Sequence, residues 1–168
     1  MKRAAIRAFL VMCVAGPGLA AAGGPRAAVD YGRFPLAFEE NRGQLDPAVR
    51  FAARGHDLSA LLTDGGPVLV SSGGLVRMAL RGGAGLAGAP VAERALPGNV
   101  NILWGNDPSK WKTGIRTFED VRYRGVYPGV DLVVHGRQGR FEYDFELQPG
   151  AAVEQIRVQF EGAKVKLN

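Results

Sequence analysis

Hydrophobic and polar residues alternate along most of this chain, and the period is two. Phe141, Tyr143, Phe145 and Leu147 interleave with Arg140, Glu142, Asp144 and Glu146, while Val130, Leu132 and Val134 interleave with Asp131, Val133 and His135. Successive side chains of a strand point to opposite faces, so each run predicts a strand with one buried face. Shorter runs predict strands at Val49–Arg54, Leu58–Thr63, Val68–Ser71, Leu75–Arg81 and Ile156–Glu161, and the start of another in Lys164–Asn168. Turn residues separate them at short intervals, as in Gly65-Gly66-Pro67, Gly73-Gly74, Pro128-Gly129 and Pro149-Gly150, leaving little room for helices. The expected fold is all-β: an antiparallel β-sandwich-like domain of short strands with Gly/Pro-rich turns. At most one short helical turn is expected, where Asp107 can cap a turn beginning with Pro108.

The two clearest strands predict a hairpin. A four-residue loop, Gly136 to Gly139, pairs His135 with Arg140, Val134 with Phe141, Leu132 with Tyr143 and Val130 with Phe145. Every apolar pair then falls on one face. The same register sets Asp131 opposite Asp144 on the other face, with Glu142 beside them. Opposed like charges are destabilising, so a neutralising group is expected. In "VRYRGVY", Arg122 and Arg124 alternate against Val121 and Tyr123, and arginine forks suit carboxylates. Calcium held by Asp131, Asp144 and Glu142 is the alternative; the chain has no Asx-rich loop of the EF-hand type, which favours the arginines.

The N-terminus changes the charge picture. Lys2, Arg3 and Arg7 precede an apolar run from Ala8 to Ala15, followed by Gly16-Pro17-Gly18 and Ala20-Ala21-Ala22. A basic start, a short apolar core and a small-residue site read as an export signal over residues 1–22, too short to span a bilayer. Cys13 lies inside it, and Met12 stands where a lipoprotein site needs a small residue. Residues 23–33 are small and polar, a disordered lead-in. Of the formal net charge of +5, three charges belong to Lys2, Arg3 and Arg7, which leaves +2. No basic run or aromatic-interleaved basic patch is present, so no nucleic-acid partner is expected. Beyond Cys13 there is no cysteine, and stability has to come from the core.

Candidate chemistry is sparse. Glu39 and Glu40 are adjacent and would point to opposite faces of a strand, whereas a glycosidase needs two carboxyls at a set spacing across a substrate. With Asn41 and Arg42 they read as structural ties at a strand end. His56 and His135 have no Cys, Asp or Glu at ligand spacing, and His135 reads as a solvated turn residue. No G-x-S-x-G is present, and the Gly-rich "RGGAGLAGAP" lacks the Lys-Ser/Thr of a phosphate loop. No catalytic residue and no cofactor is expected. Trp104 and Trp111 flank "GNDPSK"; such rings stack on sugars or cap the end of a sandwich.

The phrases "FEENRGQ", "GNDPSKW", "YRGVYPGVDLV" and "EYDF" carry a resemblance. From about Pro35 to Gly162 the chain resembles the N-terminal domain of bacterial secreted or cell-surface proteins that carry SBBP (seven-bladed β-propeller) repeats. The resemblance implies an exported, non-catalytic structural or interaction module, with no established activity to transfer to any residue. Its implied partners are downstream domains of a longer protein or a neighbouring chain, and surface glycans. A carbohydrate-binding module and a secreted hydrolase are the alternatives. Two positions depart from the family pattern: His56-Asp57-Leu58 replaces a Pro-Gly-aromatic turn, and His135 replaces an aromatic. Residues 34–168 are expected to form a single β-rich domain, cut short at its C-terminal end because family members continue further.

Overall fold

The computed structural model describes the backbone of residues 4–9 and residues 36–55, 58–83, 88–137 and 140–162 in full. His56, the export-signal residues beyond Phe9, the lead-in and the Lys164–Asn168 stretch lie outside the described residues. The strands in chain order begin with β1 (Ala4–Phe9), β2 (Phe38–Glu40), β3 (Val49–Arg54), β4 (Leu58–Thr63), β5 (Gly66–Ser71) and β6 (Gly74–Leu80). They continue with β7 (Val91–Ile102), β8 (Lys112–Tyr127), β9 (Val130–Arg137), β10 (Arg140–Leu147) and β11 (Val158–Glu161). All pairings are antiparallel, in one sheet ordered β1-β10-β9-β8-β2-β3-β4-β5-β6-β11, with β7 added alongside β8. The sheet curls into a half-barrel, so one continuous sheet wraps around the core. Two 3-10 turns, Pro108–Lys110 and Val153–Gln155, are the helical elements described, one more than the turn signals predicted.

Curling lets one face of β2–β6 and β8–β10 meet in a common core, with β7 lying largely outside it. Phe38, Leu62, Leu69, Met78, Val121, Leu132 and Phe141 are all buried there, together with Tyr143 and Phe145. Phe51 packs edge-on to Phe118, and Tyr143 edge-on to Phe145, with ring centroids 6.0 Å apart in both pairs. Two tyrosines stitch opposite parts of the sheet. Tyr123 donates its hydroxyl to the Thr63 carbonyl at 3.0 Å, and burial pushes its phenol well above the ordinary range. The Tyr127 hydroxyl lies 3.1 Å from the Arg81 carbonyl and 2.9 Å from the Arg157 carbonyl, and accepts the Arg157 N–H at 3.1 Å. It therefore joins the end of β6 to the approach to β11. Gly136 is required by close approach: a Cβ there would stand 2.2 Å from Leu36 Cβ and 2.7 Å from its carbonyl oxygen.

Three details differ from the sequence reading. The β9–β10 hairpin is tighter: Arg137 pairs with Arg140, leaving only residues 138 and 139 between the strands. Val134 therefore opposes Tyr143, Leu132 opposes Phe145 and Val130 opposes Leu147. A slip of two residues preserves the faces, which is why the apolar pattern alone did not reveal it. On the polar face Asp131 opposes Glu146 instead of Asp144, and Glu142 opposes His135.

The second difference is β7, a strand of 12 residues running through Pro97-Gly98 where the alternation predicted none. Its pairing with β8 is irregular between Ala95 and Asn99, and because among the described residues β7 pairs with β8 alone, the missing proline N–H is tolerated. The third lies in β8. Gly125, at φ +60°, sits in a bulge that breaks the alternation after Tyr123, so Val126 and Tyr127 are both buried and Arg124 turns to solvent.

Candidate functional site

The loop after β2 is built around Asn41. Its amide Nδ2 donates to the carbonyls of Asp46 at 2.9 Å and Val49 at 2.8 Å, while its Oδ1 accepts the N–H groups of Gly43 at 3.0 Å and Leu45 at 3.2 Å. Gln44 closes the loop by donating to the Glu40 carbonyl at 2.7 Å and accepting the Arg42 N–H at 2.6 Å. The Arg42 guanidinium reaches the Gly114 carbonyl on β8 at 3.4 Å. Glu39 pairs with Arg54 across β2 and β3 at 2.9 Å. Burial raises the Glu39 pKa above its ordinary value, and the Arg54 charge pulls it partly back. The two adjacent carboxylates thus have separate surroundings. A depression of about 370 Å³ lies beside this loop, lined in part by Glu40, Asn41, Leu45 and Phe51. Arg50, on its rim, is held by Asp64 at 2.7 Å.

The denser array of charge lies on the face of β7–β10 turned away from the core. Arg122 on β8 is its centre. Its Nε donates to Glu93 on β7 at 2.7 Å, and its Nη1 reaches Glu146 on β10 at 2.8 Å and Asp131 on β9 at 3.2 Å. One guanidinium thus bridges carboxylates from three strands, and those hydrogen bonds raise its pKa further above the usual arginine value. Asp131 also accepts the Gly125 N–H at 2.8 Å. Of the two arginines expected to neutralise this face, Arg122 does so. Arg124, displaced by the bulge, is exposed and stands apart from it.

A second group lies further along the same strands. His135 is buried, with Nε2 3.7 Å from both Glu142 Oε2 and Asp144 Oδ2. It is a strand residue enclosed by carboxylates, not a solvated turn residue, because the hairpin extends two residues beyond it. Asp120 on β8, its cross-strand neighbour, pairs with Arg94 through Oδ2, while Oδ1 is buried without a hydrogen-bond partner. Arg94, which also lies 3.4 Å from Glu119, adopts a left-handed backbone (φ 51°) rare for a residue with a Cβ. The calcium candidates do not converge: Asp131 belongs to the Arg122 group, and Glu142 and Asp144 to the His135 group. Among the described residues no group of three or more His, Cys, Asp or Glu side chains is arranged to hold a metal ion.

The turn between β7 and β8 carries the exposed aromatics. Trp104 is 61% exposed and Leu103 56%, while Trp111 is half-covered and donates its indole N–H to the Gly105 carbonyl at 3.2 Å. Gly105 takes φ +64°, and Asp107 caps the 3-10 turn by accepting from the Ser109 N–H at 3.0 Å and hydroxyl at 2.8 Å. The turn therefore holds its shape through its own polar groups and presents its apolar ones.

A family model described as a domain of unknown function, DUF7948, matches residues 38–168. The chain belongs to this family. No curated protein and no solved structure matches it. The match spans every feature just described, from the Asn41 loop to the hairpin tip. In this DUF7948 domain the residues singled out from sequence fall into three places: Glu39, Glu40, Asn41 and Arg42 in the loop, Arg122 with the acidic face, and Trp104 and Trp111 at the tip. Sequence reasoning missed Glu93, Arg94, Asp120 and Glu146. Glu146 was visible in the alternation but lost to the register. Glu93 and Arg94 lay in a segment without strand periodicity, so no local signal placed them against β8.

Proposed function

We propose that this chain is a non-catalytic structural and interaction module of an exported protein, secreted, held at the cell surface or resident in the periplasm. In the longer proteins it resembles, it stands ahead of SBBP repeats. The observation that carries the reading is the closure of the acidic face. Arg122 ties Glu93, Asp131 and Glu146 together across strands, so carboxylates that a hydrolase would aim into a cleft instead tie neighbouring strands together. Export rests on the basic and apolar N-terminal segment with its Ala20-Ala21-Ala22 site; cleavage there removes β1 and leaves β10 as an edge of the sheet. Expression of the full chain in a bacterium, followed by intact-mass measurement of the protein recovered outside the cytoplasm, tests it. A mature N-terminus at Gly23, or a few residues later, supports the reading. A retained Met1 overturns export, and a lipid on Cys13 overturns cleavage at Gly23.

A second reading, binding of surface glycans, draws on the exposed ring of Trp104 and the half-covered ring of Trp111. Titration with soluble oligosaccharides while recording tryptophan emission tests it; unchanged emission removes it.

A further inference from the structure

We infer that the tip of the β7–β8 hairpin is a docking surface for an anionic phospholipid membrane. This deepens the interaction-module reading and rests on it. Two observations point the same way. The first is apolar: Leu103 and Trp104 are more than half exposed side by side, and Trp111 offers part of its ring on the other side of the turn. Tryptophan and leucine at a protruding turn suit the boundary between lipid headgroups and acyl chains, where an amphipathic ring gains from both sides. The second is charge. Between Pro97 and Arg116 the charged residues are Lys110, Lys112 and Arg116 against Asp107 alone, and Arg42 reaches in to the Gly114 carbonyl at 3.4 Å. Lys110 is 73% exposed, its contact with Asp107 is a loose 3.8 Å, and its ammonium remains available to phosphate.

The polar groups of the tip argue against a sugar as occupant. A glycan site needs free donors and acceptors beside the stacking ring. Here Asp107 Oδ1 accepts both the N–H and the hydroxyl of Ser109, the Asn101 Oδ1 accepts the Gly114 N–H at 2.8 Å, and the Trp111 indole N–H is spent on the Gly105 carbonyl. The tip presents apolar surface and cations, which matches a negatively charged bilayer surface.

Trp104 and Trp111 are the only two tryptophans of the chain, so emission excited at wavelengths that tyrosine does not absorb reports the tip. The full chain is titrated with vesicles of phosphatidylcholine, with and without phosphatidylglycerol, and with lipids brominated in the acyl chains. A blue shift and bromine quenching on the anionic vesicles are expected, with about ten-fold weaker association on neutral ones and further weakening by salt. Leu103→Ser, Trp104→Ser and Lys110→Glu should each weaken the response several-fold, the remaining Trp111 reporting in Trp104→Ser. Leu75→Ser, at an exposed leucine on β6, should leave it unchanged. An emission change equal on neutral and anionic vesicles, variants that respond like the parent, or a response to oligosaccharide in place of vesicles overturns the inference. The export segment is common to parent and tip variants, so its own lipid affinity would leave them responding alike, and the intact-mass result judges export separately.

Discussion

Replacing Arg122 with alanine should be the most informative perturbation of the sheet. The guanidinium is 11% exposed, and the carboxylates it joins, Glu93, Asp131 and Glu146, are 30, 22 and 27% exposed. Removing one partner of a fully buried pair costs about 3–5 kcal/mol, because the remaining charge is left desolvated and unpaired. Here the carboxylates keep partial access to water, which lowers the figure, but Asp131 and Glu146 are direct cross-strand neighbours and would repel once the arginine is gone. The expected loss is about 2–3 kcal/mol. Urea unfolding of parent and variant would show it as a lower midpoint at constant slope. For a domain of this size the melting temperature should fall by roughly 10 °C. Arg124→Ala, at an exposed bulge position, should stay within about 0.5 kcal/mol of the parent. A chelator should change neither protein. A loss below about 1 kcal/mol for Arg122→Ala, or equal losses for the two variants, would refute the account of this face, and a chelator-sensitive parent would return the carboxylates to calcium.

Three further outcomes follow from other contacts. Tyr127→Phe removes the hydroxyl shared by Arg81 and Arg157 and strands the Arg157 N–H, so it should cost about 1–3 kcal/mol and speed hydrogen exchange at that amide; unchanged exchange there would contradict the assigned bond. Gly136→Ala should cost at least 3 kcal/mol or prevent folding, because its Cβ would overlap Leu36, whereas Gly98→Ala, where a Cβ meets nothing, should cost less than about 1 kcal/mol in thermal melts. The Glu39 pKa is raised in the folded state above its ordinary value of 4.5, so its contribution favours folding below that value and is lost as pH rises through the folded pKa. The stability of Glu39→Gln relative to the parent should therefore improve between pH 4 and pH 7, and a difference that moves the opposite way would show that Arg54 outweighs burial.

The division between what the sequence determined and what the tertiary structure decided follows the range of the interactions. Alternation is a local property: whichever strand lies alongside, Phe141, Tyr143, Phe145 and Leu147 must share a face, so the all-β class and the buried side of β9 and β10 were legible. Asp107 before Pro108 likewise specified its turn from within five residues. The hairpin register was not legible, because shifts of two residues leave the apolar faces equally matched and only the packed sheet chooses among them. Arg122 and Arg124 look equivalent in sequence; the Gly125 bulge, set by how β8 passes from β7 and β2 to β9, sends one to the acidic face and the other to solvent. His135 reads as a loop residue until a hairpin two residues longer encloses it between Glu142 and Asp144. The charge array on β7–β10 brings together residues up to fifty-three positions apart, from Glu93 to Glu146, and no local pattern encodes such a meeting. Side-chain direction within a strand is set by adjacent residues, whereas the partner a charge meets is set by sheet order and register, which only the folded chain as a whole determines.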